Sequence, residues 1–173
     1  MIFRGMETGE AERLRAGGVD ANGQAPERAV SDGDGNPCRH CLGMIGKGEP
    51  MLVLAHRPFG TVQPYAEVGP VFLHAGPCAP YRAEAVPPCL DSAAYLARGY
   101  GADERIAYGT GRVVALADLP ARADELLADP RVAFVHVRSA SNNCWQARID
   151  RDQSLPARAW GPPDAGAASR RSA

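Results

Sequence analysis

Apolar positions along this chain gather into short runs separated by glycine, proline and polar residues. Met51–Arg57 (MLVLAHR) and Val71–Ala75 (VFLHA) are nearly continuous apolar segments bounded by turn formers, the pattern of strands buried on both faces. A loop carrying Arg57, Tyr65 and Glu67 lies between them. Further on, Leu119, Ala123, Leu126 and Leu127 recur at i, i+4, i+7 and i+8 behind Asp118. That spacing predicts an amphipathic helix ended by Asp129-Pro130. Arg131–Arg138 (RVAFVHVR) and Cys144–Asp150 (CWQARID) then read as two strands joined by the turn-rich Ser139–Asn143, an antiparallel pair. Symmetry about Ser141 sets Arg138 opposite Cys144, His136 opposite Gln146 and Phe134 opposite Arg148.

The remaining signals are local. Gly9–Ala16 predicts a short helix capped by Thr8 and stopped by Gly17 and Gly18. Asp91 is an N-cap candidate for a helix through Ala97, closed by Gly99. Arg105–Leu116 alternates around Tyr108-Gly109-Thr110-Gly111, a hairpin signature. Prolines 77, 80, 87 and 88 exclude helix and central strand from residues 76–88. From Asp152 onward periodicity is lost, so residues 1–151 are expected to form one domain and 152–173 a disordered tail. Hairpin signals outnumber β-α-β alternation. The expected fold is therefore α+β, mainly antiparallel sheet with two or three short helices packed on one face.

Composition narrows the function classes. With 19 basic and 20 acidic residues, the net charge of −1 gives no global field for nucleic acid or an anionic membrane, and neither partner is expected. Lys47 is the only lysine, a bias toward arginine that first suggests GC-rich codons. No apolar run approaches the roughly 18 residues of a membrane helix, and Met1–Gly9 lacks the apolar core of a secretory signal, so a cytoplasmic location is expected. Five cysteines, an odd number, in a reducing compartment then argue for free thiols, metal ligands or packing residues over a disulfide framework.

The most specific local feature is Cys38-Arg39-His40-Cys41. Two thiolates at C-x-x-C spacing grip one zinc ion through a tight turn, and two further donors are then required. Cys78, Cys89 and His74 are available, with His40 an alternative imidazole, although no second C-x-x-C accompanies them. A redox dithiol would use a following helix, which Gly43, Gly46 and Gly48 disfavour. The plainest alternative makes Cys38 and Cys41 small buried residues where a loop enters the core. Separately, Arg39, Arg57, His136, Arg138 and Gln146 are candidates for binding a carboxylate, phosphate or sulfate, because guanidinium forks match those anions. The same residues also suit the wet face of an ordinary sheet. Cys144 with His136 is the candidate nucleophilic pair. The preferred reading is a non-enzymatic binding module for a small anion or a protein partner, with no cofactor. The alternative is a zinc-binding or thiol-dependent protein using Cys38, Cys41 and Cys78, with His74 among the metal donors.

The segments Asn36–Leu42 (NPCRHCL), Gly48–Leu54 (GEPMLVL) and Pro64–Phe72 (PYAEVGPVF) resemble a bacterial family catalogued as domain of unknown function 1203. Val132–Arg138 followed by Cys144-Trp145-Gln146 is similar to that family's closing segment. The resemblance spans roughly Met1 to Arg151. It implies a small bacterial protein with no assigned activity, and therefore no catalytic residue to carry over.

Overall fold

In the computed structural model, residues 1–152 are described; the tail expected beyond Asp152 lies outside them. The chain runs β1 (Ile2–Arg4), α1 (Thr8–Arg15), β2 (Glu27–Val30), β3 (Pro50–His56), β4 (Gly69–His74), β5 (Arg82–Ala83), β6 (Ala94–Tyr100) and β7 (Arg112–Ala115). A one-turn 3-10 helix (Leu116–Asp118) leads into α2 (Leu119–Ala128), followed by β8 (Phe134–Ser139) and β9 (Trp145–Asp150). The strands form a six-stranded sheet in the order β5-β1-β9-β8-β6-β7 and a three-stranded sheet in the order β2-β3-β4. Every strand pair is antiparallel. The α+β class, the antiparallel sheet and two short helices are as the sequence predicts.

Each sheet has its own core. The apolar stripe of α2 (Leu119, Ala123, Leu126, Leu127) packs with Tyr95 and Ala97 of β6, Val135 and Val137 of β8, and Ala147 and Ile149 of β9. Ala11 and Leu14 of α1 instead join Met6, Cys38, Ile45, Leu52, Leu54, Val71 and Leu73 over the three-stranded sheet. Trp145 also packs in this second cluster, so β9 links the two cores. Residues alternate faces along β8, and both faces are covered: Val135 and Val137 point to α2, while Phe134, His136 and Arg138 are buried on the other side.

Several local expectations give way to long-range pairing. Ala94–Tyr100 is a strand, not the end of a helix capped by Asp91, because β7 and β8 pair with its two edges. Its Ala and Leu content favours helix, and the sheet overrides that propensity. The Tyr108–Gly111 segment turns, with Gly109 at φ +86°, but the chain returns as β7 to pair with β6 and does not fold on itself within residues 105–116. The β8–β9 register places Phe134 opposite Asp150 and His136 opposite Arg148, two residues from the symmetric expectation. The register shift between Val137 and Arg138 then brings Arg138 opposite Trp145. Neither predicted cap bonds its helix: Asp118 makes no side-chain cap, and the Thr8 hydroxyl lies 3.0 Å from His40 Nε2.

Candidate metal centre

The Cys38–Cys41 turn is shaped by its own backbone. The Leu42 amide donates to the Cys38 carbonyl at 2.9 Å and the Cys38 amide to the Gly43 carbonyl at 2.8 Å, with Leu42 at φ +51°. These bonds turn both thiols toward one point. The turn lies along β4, where the Arg39 amide donates to the Phe72 carbonyl at 2.9 Å. β4 ends at His74, whose amide reaches Cys38 Sγ at 3.4 Å, and the following loop brings in Cys78. A 36-residue separation between Cys38 and His74 is thus closed by the pairing of the turn with a strand.

Cys38 Sγ, Cys41 Sγ, Cys78 Sγ and a ring nitrogen of His74 all lie within 4.8 Å of one another. Zinc–sulfur bonds of about 2.3 Å in a tetrahedron require sulfur–sulfur edges of about 3.8 Å, and sulfur–nitrogen edges slightly shorter. Cys38 Sγ is 3.8 Å from Cys78 Sγ, and Cys41 Sγ is 3.5 Å from His74 Nδ1. Two edges already have tetrahedral length. The other imidazole nitrogen, His74 Nε2, lies 3.6 Å from Glu49 Oε2, which in turn accepts the Gly46 amide at 2.9 Å. Glu49 thus lies beside the second ring nitrogen at more than hydrogen-bond length, the place from which a carboxylate orients a ligating histidine when it closes to bonding distance.

Cys78 has two donors of its own. Arg15 of α1 reaches its sulfur at 3.0 Å through NH2, and His40 Nδ1 lies at 3.2 Å. With Cys78 as a metal-bound thiolate, Nδ1 would carry the proton and Nε2 would accept from the Thr8 hydroxyl. His40 therefore supports Cys78 from outside the four-donor group. Three thiolates and a neutral imidazole around a divalent cation leave one negative charge, which the Arg15 guanidinium faces.

The thiols are not equivalent. The Cys41 S–H bond pushes the Cys38 thiol down, helped by amides of Cys41, His74 and His40 against the opposing effect of burial. Cys41, which keeps the proton it offers to Cys38, is pushed up, and burial raises Cys78. Cys89 belongs elsewhere: it packs in the α2 core, with its sulfur 3.8 Å from Arg39 NH1 and its thiol raised by burial.

The anion candidates are dispersed. Arg39 is 5% exposed and donates to Gln146 Oε1 at 2.8 Å, so each is engaged by the other, although the Arg39 Nε is buried without a partner. Arg138 is ion-paired with Glu67 and donates to the Asn143 carbonyl at 2.8 Å. His136 is fully buried among the rings of Phe59, Tyr100, Phe134 and Trp145, with neither ring nitrogen bonded. Desolvation, with Arg138, Arg148 and Arg98 nearby, holds its pKa well below the ordinary imidazole value. Cys144 Sγ faces the Asn142 carbonyl at 3.7 Å, so no Cys144–His136 pair forms. Only Arg57 remains partly exposed and without a carboxylate among the described residues. The anion face expected on β8–β9 is lost because the loop after β3 covers it: Phe59 packs on His136, and Glu67 pairs with Arg138. Arg15, Thr8 and Glu49, which surround the candidate donors, carry no spacing signal in the sequence.

The sequence profile of the DUF1203 family, described as a protein of unknown function, matches residues 35–151 of the 173, and the chain belongs to that family. The matched region contains all four candidate donors and Glu49, whereas Thr8 and Arg15 precede it. No curated protein and no solved structure matches the chain. Among the described residues, no helix is long and apolar enough to cross a membrane.

Proposed function

We propose that this DUF1203 protein is a zinc protein in which Cys38, Cys41, His74 and Cys78 hold one ion in a closed, structural site. The observation that carries this reading is the convergence of three sulfurs and one imidazole nitrogen from distant positions within 4.8 Å, with Glu49 behind the imidazole. Four protein donors complete a tetrahedron and leave no position for water, which is the structural rather than the catalytic pattern. Bound there, the ion supplies a crosslink. It would tie the Cys38–Cys41 turn to the end of β4 and to the Cys78 loop.

The consequences of that crosslink reach β1. The Met6 amide bonds the Arg39 carbonyl at 2.6 Å, the Tyr81 amide bonds the His40 carbonyl at 3.0 Å, and the Gly5 amide bonds the Tyr81 carbonyl at 3.4 Å. The backbone leaving β1 is thus seated on the same turn. Elemental analysis of the purified chain tests the proposal. About one zinc per chain, lost in Cys41→Ser and Cys78→Ser but kept in Cys89→Ala, supports it. Metal-free protein with undiminished stability refutes it.

Thiol chemistry at the same cluster is the second reading, favoured by the acidified Cys38 and its 3.8 Å approach to Cys78. Full burial of Cys38 opposes it, since a disulfide substrate must reach the attacking sulfur. Rapid alkylation of Cys38 in the metal-loaded protein would favour this reading over the first.

A further inference from the structure

A cavity of about 350 Å³ opens where β1, the loop after β3 and β9 meet. None of the four metal donors lines it. Its apolar side is formed by Met6, Pro58, Phe59 and Trp145, a size and character within the usual range for small-molecule sites. Three arginines and three glutamates also line it, and nearly all are already engaged. Arg4 pairs with Glu7 and Asp150, and Arg148 pairs with Asp150. Glu10 meets His56 Nδ1 at 3.1 Å, while Glu104 accepts the amides of Gly60 at 2.7 Å and Thr61 at 2.8 Å.

Arg57 is the exception. Its only hydrogen bond among the described residues is a 3.5 Å contact from NH2 to the Ala21 carbonyl, and its Nε is buried without a partner. Trp145, which is 6% exposed, also has its indole N–H buried without a partner. The lining therefore carries one guanidinium, that of Arg57, which no carboxylate pairs among the described residues. A single uncompensated guanidinium suits a monoanion, whereas a doubly charged phosphate would meet the carboxylates of Glu7, Glu10 and Glu104 on the same wall.

We propose that this cavity binds a small monocarboxylate with an apolar, ring-bearing body, its carboxylate held by the Arg57 guanidinium and its ring against Phe59, Pro58 and Trp145. The proposal is independent of the metal, because it uses none of the metal donors.

The test uses the full ¹⁵N-labelled chain as purified. Its two tryptophans, Trp145 and Trp160, give two indole N–H signals, assigned with Trp160→Phe. The probes are benzoate, its uncharged counterpart benzyl alcohol, and inorganic phosphate. Benzoate should shift the Trp145 signal saturably, while benzyl alcohol and phosphate leave it in place. Arg57→Gln should weaken benzoate at least about tenfold, and Arg57→Lys, which keeps the charge and loses the fork, should fall between. Should Arg57→Gln fail to fold, the contrast between benzoate and benzyl alcohol on the unaltered chain still decides. No saturable shift up to about 10 mM benzoate, an equal response to benzyl alcohol or to phosphate, or indifference to a folded Arg57→Gln overturns the proposal.

Discussion

His136 offers the cleanest test of how burial governs this protein's energetics. It is 0% exposed, both ring nitrogens lack partners, and its neighbours are four aromatic rings together with the cations Arg98, Arg138 and Arg148 and the His56 imidazole. The folded imidazole is therefore held neutral, well below its ordinary pKa. In the unfolded chain it titrates near 6.5. Above that pH both states carry a neutral ring, and its contribution to stability is fully present. Below it the unfolded chain takes up a proton that the folded chain refuses, so stability falls as pH falls, by about 1.4 kcal/mol per unit, until the depressed folded pKa is reached. Replacing the ring by His136→Phe removes this dependence. The loss avoided is about 1.4 kcal/mol at pH 5.5 and about 2.7 kcal/mol at pH 4.5 if the folded pKa lies lower still. The larger phenyl ring adds a packing cost of about 1–3 kcal/mol, but that cost does not vary with pH. Denaturant unfolding of the two proteins between pH 7.5 and about 4.5 separates the effects. Protonation of the metal donors and surface carboxylates is common to both and cancels in the difference. A difference that grows toward acid supports the argument, and parallel stability curves refute it.

Other expectations follow from single contacts. A Cβ built on Gly5 would lie 2.5 Å from the Arg39 and His40 carbonyl oxygens, so Gly5→Ala must push β1 away from the cysteine turn. Thermal unfolding should show a loss of about 3 kcal/mol, the upper end for overpacking. Chelation of the metal should lower the apparent stability by several kcal/mol, read as a fall in Tm by calorimetry and restored by added zinc; an unchanged Tm would show that no ion holds the turn. In a double-mutant cycle of Arg39→Met and Gln146→Leu, each single change strands a buried partner, and the coupling should be about 1.5–3 kcal/mol by chemical denaturation.

Legibility in the sequence followed the range of the interaction concerned. α2, β3, β4, β8 and β9 can be read because their apolar periodicity is local and each faces a core directly. Ala94–Tyr100 misleads because an Asp-capped, alanine- and leucine-rich segment favours helix locally, whereas its fate is set by two strands that follow it in the chain. β1 and β2 are short, and their partners lie about 80–150 and 25 residues away, so no periodic signal accumulates. The hairpin register escaped because the turn is centred between Ser141 and Asn142, which shifts the pairing by one residue, and a bulge beside Arg138 shifts it by one more. At the candidate centre, Cys38 and Cys41 announce themselves by spacing, and Cys78 and His74 were nameable as donors. What joins the four is the alignment of the turn with Phe72 on β4, a tertiary contact that spacing does not encode. The anion residues were legible as arginines and amides but not as consumed partners, since Gln146 and Glu67 reach Arg39 and Arg138 across distant segments.

X-ray absorption at the zinc edge of the protein as purified reads the donor set itself. Three sulfurs at about 2.3 Å and one nitrogen at about 2.0–2.1 Å are the predicted first coordination sphere, with one sulfur lost in Cys78→Ser. A shell of oxygen and nitrogen donors, or a sulfur count unchanged by Cys78→Ser, would contradict the account.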